Sequence, residues 1–253
     1  MKKDNRNLVG AFVRAGERTD TSGNPVRNGI LRTISDAEFR MVRPHLALVA
    51  MPNHSVLQEP RAAINFAYFP NDGLASIVVA MKGERDVEAG VVGYEGAVGT
   101  ALAVGLKTTP LRVVMQIEGK ALRIPAGTLV SLLRRTPELQ MRLSRYAVLQ
   151  GMQVAQTAAC NRLHQVSRRL PRWLLMAQDR VDSGTLEITH DFLATMLGTD
   201  RPSVTLAARS LQAKKAIRYR RASVDIVNRK RLESLTCQCY GAVQQLNGRL
   251  GLD

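Results

Sequence analysis

Residues 185–231, TLEITHDFLATMLGTDRPSVTLAARSLQAKKAIRYRRASVDIVNRKR, determine the fold of the C-terminal part of the chain. Thr189 is a good N-cap for a first helix, whose apolar residues recur at steps of three and four until Gly198 ends it. Asp200 caps a second helix, and Pro202 falls in its first turn, where a missing amide hydrogen is tolerated. A basic segment typical of a β-hairpin follows. The pattern predicts a winged helix-turn-helix.

The outward face of the second predicted helix carries hydrogen-bond donors that suit base edges and phosphates of DNA. The residues expected to contact bases are Arg201, Pro202, Ser203 and Thr205. Those expected to contact phosphates are Thr189, Arg209, Lys214, Lys215, Arg218, Arg220 and Arg221. Two alternatives stay open: an ordinary helical hairpin with a solvated basic face and, for Arg201, a contact to phosphate alone.

The composition favours a polyanionic partner. The chain has 253 residues and a formal net charge of +15, more than solubility requires, and double-stranded DNA fits that charge best. A membrane surface is the competing polyanion, but the sequence lacks both a long apolar run and a signal-type N-terminus. We therefore predict a cytoplasmic protein without a membrane partner. The length allows two domains, each with its own core.

Three stretches together resemble one family: QTAACNRLHQVSRRLPRWLLMAQDRV (156–181), RPSVTLAARSLQ (201–212) and CQCY (237–240). They are similar to a branch of the Crp/Fnr superfamily of bacterial transcription regulators, distinct from its cyclic-AMP-binding members. The resemblance implies an α+β fold with a cyclic-nucleotide-binding-like β-roll (jelly roll), a long dimerisation helix and a C-terminal winged helix-turn-helix. It also implies a homodimer acting on an inverted-repeat operator, with RNA polymerase as a further partner.

We predict four segments along the chain. Residues 1–33 are polar and basic and are expected to form a flexible leader, or an arm along DNA phosphates. Residues 34–135 form the β-roll sensor domain, 136–165 the dimerisation helix and hinge, and 166–253 the DNA-binding domain. Short runs rich in β-formers and broken by Pro and Gly predict strands at 49–52, 67–69, 76–81, 87–92, 112–117 and 121–124.

The β-roll lacks the residues that hold cyclic nucleotides in the resembling family. Where that family carries a Gly-Glu pair and an arginine pair, this chain has Gly99-Thr100 and residues 108–111. Cyclic AMP is therefore not expected to bind, and no cofactor is expected. An effector-gated sensor for another small molecule or nucleotide is the alternative function. The residues that outline its candidate pocket are Glu95, Gly99, Thr100, Thr109 and Arg112.

A long helix is predicted from Glu138 to about Leu163, followed by a hinge over residues 161–167 and a helix capped by Ser167. Near-heptad steps along the long helix favour a stripe that pairs with a second copy. The predicted dimer stripe contains Leu139, Leu143, Tyr146, Leu149, Gln153, Gln156 and Cys160. The alternative is that this helix packs only on its own β-roll.

The cysteines and histidines give no clear site in the sequence. Cys237 and Cys239 form a Cys-x-Cys pair without a second pair nearby, and His164 and His190 are isolated, so no metal site is expected. A thiol-redox role for Cys160 or for this pair stays open. No catalytic set of residues is evident, and we expect no enzymatic activity.

Overall fold

The computed structural model describes residues 17–79, 86–181 and 183–248. Its elements follow the predicted order: a β-roll, a long helix, and a helical domain with a small β-hairpin. The α+β class is therefore confirmed. Among the described residues, no helix is both long and apolar enough to cross a membrane.

In the described part of the chain, seven antiparallel strands in two sheets form the β-roll. They are β1 (Ala47–Met51), β2 (Val56–Gln58), β3 (Phe66–Pro70), β4 (Leu74–Val79), β5 (Val87–Val92), β6 (Arg112–Ile117) and β7 (Gly119–Pro125). One sheet has the order β1-β7-β3 and the other β2-β6-β4-β5. Fully buried side chains such as Phe69, Met115 and Leu122 fill the space between them. Only β2, three residues long, was missing from the predicted strands.

The N-terminal segment is folded over its described part. Residues 29–33 form α1 (Gly29–Thr33), and Val26 and Ile30 are buried in the β-roll core. The buried Asn28 side chain donates to the carbonyls of Pro70 at 3.0 Å and Gly96 at 2.7 Å. The predicted flexible leader is thus wrong for residues 17–33, because a few apolar anchors and one buried amide outweigh the polar composition. Residues 1–16 lie outside the described residues.

A capped helix leads into the β-roll and two helices leave it. The first is α2 (Asp36–Val42), whose N-cap Ser35 accepts from the Glu38 amide as its sequence predicts. After β7 come α3 (Ala126–Leu133) and α4 (Pro137–Leu163). The α4 helix has 27 residues, so it is about 40 Å long. It extends past the β-roll and reaches the C-terminal domain.

The predicted dimer stripe of α4 faces its own chain. Leu139, Leu143 and Tyr146 belong to the β-roll core, and Cys160 is fully buried. The same inward face carries Leu149, Gln153 and Gln156, which are buried or half-buried. The assignment of this stripe to a second copy is therefore a wrong choice of face. A seven-residue repeat can lie on either face of a helix. In α4 the more apolar face packs against the β-roll.

The opposite face of α4 is exposed. Met141, Val148 and Met152 have exposed fractions of 58%, 59% and 48%, and Ala155 and Ala159 continue the stripe at exposed positions. The steps are seven residues from Met141 to Val148 and then four, three and four, which is the spacing of a helix-pairing seam. This face is called the outer stripe below.

The predicted hinge is shorter in the structure. Only His164 and Gln165 separate α4 from α5 (Val166–Val181). Ser167 lies inside α5 and does not cap it. Helix α4 ends at Leu163 as predicted, so residues 161–163 of the predicted hinge are helical.

Buried polar contacts join α5 to the β-roll. Trp173 Nε1 donates to Glu88 Oε1 at 2.8 Å, and Ser76 Oγ donates to the other oxygen of the same carboxylate. Arg180 Nε lies 2.8 Å from Glu95 Oε1, and both side chains are buried. Burial raises the pKa of Glu88 to about 7, although the hydrogen bonds from Ser76 and Trp173 lower it.

The buried carboxyl group of Glu88 should make the free energy of unfolding depend on pH. Its folded-state pKa of about 7 exceeds the ordinary 4.5, so the folded protein binds this proton more tightly than the unfolded chain. That contribution is complete below the ordinary pKa and is lost as pH rises through the folded one. We expect the free energy of unfolding, measured by urea denaturation, to lose about 2–3 kcal/mol from this group between about pH 5 and pH 8.

The matched pair Glu88→Gln and Glu118→Gln isolates this effect. Glu88→Gln removes the titrating proton and keeps an oxygen that can accept from Trp173, so the loss of stability over that pH range should shrink. Glu118 is exposed, and its variant should behave as the wild type. An identical pH profile in all three proteins would contradict a buried, titrating Glu88.

Candidate nucleic-acid interface

Two short helices and a hairpin form the predicted winged helix-turn-helix. Helix α6 (His190–Met196) begins at Thr189, whose hydroxyl accepts from the Phe192 amide at 3.1 Å. After Gly198, which has a φ of +55°, Asp200 caps α7 (Arg201–Ala213) by accepting from the Ser203 amide at 2.7 Å. The caps predicted from the sequence are therefore present.

Helix α7 buries one face and leaves the other open. Its inward face consists of Val204, Ala207, Ala208 and Leu211, all buried as the spacing predicts. The residues that line an open depression on its outer side are Arg201, Pro202, Thr205, Leu206 and Arg209. Three of the four residues predicted to read bases thus share one accessible surface, together with a predicted phosphate contact. We call it the α7 face.

Arg201 is the most available donor on the α7 face. Its Nη1 lies 3.2 Å from Asp191 Oδ2, with exposed fractions of 64% and 66% for the two side chains. An ion pair this exposed contributes about 0–1 kcal/mol. Arg201 can therefore exchange Asp191 for an acceptor on DNA at low cost.

Ser203 and Thr205 already have partners within the domain. Ser203 Oγ donates to Asp200 Oδ2 at 3.0 Å. Thr205 Oγ1 donates to the Arg201 carbonyl at 2.9 Å and lies 3.0 Å from His190 Nδ1. Ser203 is absent from the open depression, so its predicted role at a base has less geometric support than that of Arg201.

His190, which contacts Thr205 of the α7 face, was missed, and Leu206 was not given a contact to DNA. The His190 ring stacks on Tyr219, with 4.0 Å between centroids, and joins α6, α7 and the hairpin. Burial and then Arg201 lower its pKa, which favours the neutral ring. Leu206 is 71% exposed, and an apolar side chain there suits a thymine methyl group. The available signal in the sequence was that Leu206 stands four residues after Pro202, on the same side of a helix.

The hairpin and the end of α7 carry the predicted phosphate contacts. The hairpin consists of β9 (Ile217–Arg220) and β10 (Ser223–Ile226), and β8 (Thr185–Leu186) pairs with β10. The predicted cations, all exposed, are Arg209, Lys214, Lys215, Arg218, Arg220 and Arg221. Arg220 Nε lies 3.3 Å from Asp225 Oδ2; the arginine side chain is exposed and the carboxylate is half-buried. These cations and the α7 face belong to one domain.

The charged residues of the predicted effector pocket pair within the protein. Glu95 is bound to the buried Arg180, so it holds α5 against the β-roll. Arg112 lies 3.4 Å from Glu59 and 3.5 Å from Asp86. Both residues thus have structural partners that require no ligand.

The remaining residues of that pocket also have local structural roles. Gly99, with a φ of +88°, precedes a 3₁₀-helix that begins at Thr100. Thr109 Oγ1 accepts from Gln58 Nε2 at 2.9 Å. The five residues therefore belong to separate local arrangements, and the geometry gives the pocket no support.

The glycines of VVGYEGAVG make room for helices. A Cβ on Gly93 would lie 2.6 Å from Arg180 Cγ, and one on Gly96 would overlap the Tyr146 ring. Gly99 alone turns a corner with positive φ. Gly93 and Gly96 instead allow α5 and α4 to approach the β-roll.

The cysteines, distant in sequence, meet at the end of α4. Cys160 Sγ lies 3.5 Å from Cys237 Sγ, and Cys239 Sγ lies 3.6 Å from His164 Nδ1. The prediction that no further ligand lies near the Cys-x-Cys pair is therefore wrong. The description of His164 as isolated is wrong as well. Separations of more than 70 residues had hidden the cluster.

The C-terminal domain has a recognised family. Residues 168–235 match the Crp-like helix-turn-helix domain. These residues therefore form a Crp-like helix-turn-helix domain. The matched part contains α5, both helices of the helix-turn-helix, the hairpin and α8 (Arg229–Leu235), and it confirms the resemblance drawn from the sequence. No curated protein matches the chain.

Solved structures of regulators align with most of this chain. FixK2 from Bradyrhizobium japonicum aligns with a TM-score of 0.65 and 12% identity over 76% of this chain and 98% of that one. For CLP of Xanthomonas campestris, a c-di-GMP responsive global regulator, the values are 0.58, 17%, 76% and 99%. A crp/fnr family transcriptional regulator from Eubacterium rectale gives 0.59, 14%, 81% and 96%. At these identities the likeness establishes the fold.

The tip of the hairpin predicts a stabilising substitution. Ala222 has a φ of +57°, a left-handed conformation that costs a residue with a Cβ about 1–2 kcal/mol. Glycine removes this strain but loses more entropy on folding. We expect Ala222→Gly to raise the free energy of unfolding by about 0.5–1 kcal/mol in urea denaturation. Ala213→Gly, at a helical position in α7, should lower the free energy of unfolding. If both glycine variants were more stable than the wild type, strain at Ala222 would not be the cause.

Proposed function

We propose that this Crp/Fnr-type protein is a transcription regulator that binds an inverted-repeat operator as a homodimer. The observation that carries the proposal is the open α7 face beside a row of exposed cations. Such a helix, capped by Asp200 and edged by Arg201 and Arg209, has the size and the donors to enter a major groove. In this role the chain performs no catalysis, and RNA polymerase is its expected partner at the promoter.

Within the proposed complex, the α7 face reads bases and the hairpin positions the domain. Arg201 donates to guanine, Leu206 packs on a thymine methyl group and Thr205 contributes at a base edge. The cations at the end of α7 and on the hairpin neutralise phosphates, which adds affinity without sequence information. The net charge of +15 agrees with this division.

The outer stripe of α4 is proposed as the contact between two copies. Met141, Val148 and Met152 place exposed apolar side chains at heptad spacing, and the small side chains of Ala155 and Ala159 allow close approach near the C-terminal end. A second α4 matches this stripe by symmetry, since a two-fold axis brings the same residues together. Pairing of the two α4 helices along the outer stripe would place the two α7 helices on successive turns of DNA, about 34–36 Å apart.

Two arginine variants separate base reading from phosphate binding. Arg201→Ala should relax preference at one base pair per half-site, with a loss of about 1–3 kcal/mol on the preferred operator and little on unrelated DNA. Arg218→Ala should weaken binding to all sequences and reduce the slope of log affinity against log salt by about 0.9 per subunit. The operator comes from selection of random duplexes, and fluorescence anisotropy measures the affinities. Equal losses on all DNA in Arg201→Ala would reassign Arg201 to phosphate.

A charge in the outer stripe should break the homodimer. Val148→Glu places a carboxylate at the proposed seam, while Leu106→Glu makes the same kind of change in the β-roll; both wild-type side chains are 59% exposed. We expect sedimentation velocity to show a dimer for the wild type and Leu106→Glu, and a monomer for Val148→Glu. Because Val148→Glu loses the dimer, its affinity for a full operator should also fall. A monomeric wild type would overturn the proposed dimer.

A further inference from the structure

Four potential metal ligands converge where α4 ends. Cys160 and His164 stand four residues apart on α4, with His164 at its C-cap. Cys237 and Cys239 precede and begin α9 (Cys239–Gly248). The three sulfurs and one ring nitrogen all lie within 4.8 Å of one another. The fold thus builds a set of three cysteines and one histidine from two distant segments.

The spacing of these atoms suits a single tetrahedral metal ion. With Zn–S bonds of about 2.3 Å and Zn–N bonds of about 2.0–2.1 Å, tetrahedral angles separate two sulfurs by about 3.8 Å and sulfur from nitrogen by about 3.6 Å. The observed separations are 3.5 Å for Cys160 and Cys237, and 3.6 Å for Cys239 and His164. Small shifts of the side chains complete the geometry.

Two buried arginines beside the cluster favour an anion at its centre. Arg169 and Arg172 are 7% and 3% exposed, and within the described part of the chain neither has a carboxylate at ion-pair distance. The Nε atoms of both lack a hydrogen-bond partner there. Both guanidinium groups interact electrostatically with Cys160 or Cys237. Buried cations need a compensating charge, and neutral thiols do not provide one.

We propose that Cys160, His164, Cys237 and Cys239 bind one zinc ion. On binding, each thiol releases its proton to solvent, and the neutral His164 ring coordinates through Nδ1. Three thiolates and one divalent cation sum to a charge of about −1, which offsets part of the positive charge of the two arginines. Soft sulfur ligands in a tetrahedral arrangement select zinc over magnesium or calcium.

One outer contact already supports a thiolate at this position. Gln156 Nε2 donates to Cys239 Sγ at 3.0 Å, and such hydrogen bonds hold and orient metal-bound sulfur. The four ligands form one compact set, whereas a two-iron cluster distributes its ligands over two metals. The geometry therefore points to a mononuclear site.

The zinc ion would fasten the end of the long helix to the segment that follows the helix-turn-helix. Cys160 belongs to α4, and Cys237 comes two residues after the end of α8. The site is independent of the α7 face, so metal binding can be tested without DNA.

Metal analysis of the full-length protein tests the site directly. Protein purified under reducing conditions without chelator is expected to contain about one zinc per chain by inductively coupled plasma mass spectrometry. Cobalt added to metal-free protein should produce the intense sulfur-to-cobalt charge-transfer absorption of a thiolate site, and zinc should abolish it. Neither measurement depends on a variant that folds.

Substitutions assign the ligands. Cys237→Ser and His164→Ala should each reduce zinc affinity, measured by competition with a chelating dye, by more than about 100-fold, which exceeds the effect of an outer-shell residue. His45→Ala, at an exposed position in the β-roll domain, should bind as the wild type. Circular dichroism must show the same helix content in all variants.

Several results would overturn the proposal. They are a chain that neither carries zinc nor gives the cobalt absorption, ligand variants that bind zinc as tightly as the wild type, and iron accompanied by acid-labile sulfide. Purification of the wild type with a Cys160–Cys237 disulfide and no metal would also reject it, and would indicate thiol redox chemistry instead.

Discussion

A buried ion pair between Arg180 and Glu95 determines how the two halves of the chain meet. The two side chains are 2% and 8% exposed, so each charge depends on the other, and removal of one would cost about 3–5 kcal/mol. Gly93 must lack a side chain because Arg180 occupies that space. The hydrogen bond from Trp173 to Glu88 continues the same seam. These contacts set the position of α5, and through it that of the helix-turn-helix.

Much of the fold could be predicted because its signals are local. Helix caps at Thr189 and Asp200 act within three residues, and short runs rich in β-formers mark β5 and β6. The family-specific stretches around Trp173 then place these elements in order. The α7 face followed from helical spacing alone, although the apolar Leu206 was left out of it.

Other features depend on contacts between distant residues. Either stripe of α4 could have faced the β-roll, and only the packed core shows that Tyr146 points inward. Asn28 looks like part of a polar leader until its amide is found bonded 68 residues away, at Gly96. The cysteine cluster is of the same kind, since His164 and Cys239 stand 75 residues apart. Periodicity carries no information about such pairs.

Only two residues connect α4 to α5, so a rotation at this connection would swing α5 as a rigid rod. Helix α5 has 16 residues and is about 24 Å long. A rotation of about 10° at His164-Gln165 would therefore displace its far end by about 4 Å, a large step relative to the width of a groove. Arg180 lies near that end and is held by Glu95 of the β-roll, so the buried ion pair would have to open before the C-terminal domain could turn about this connection.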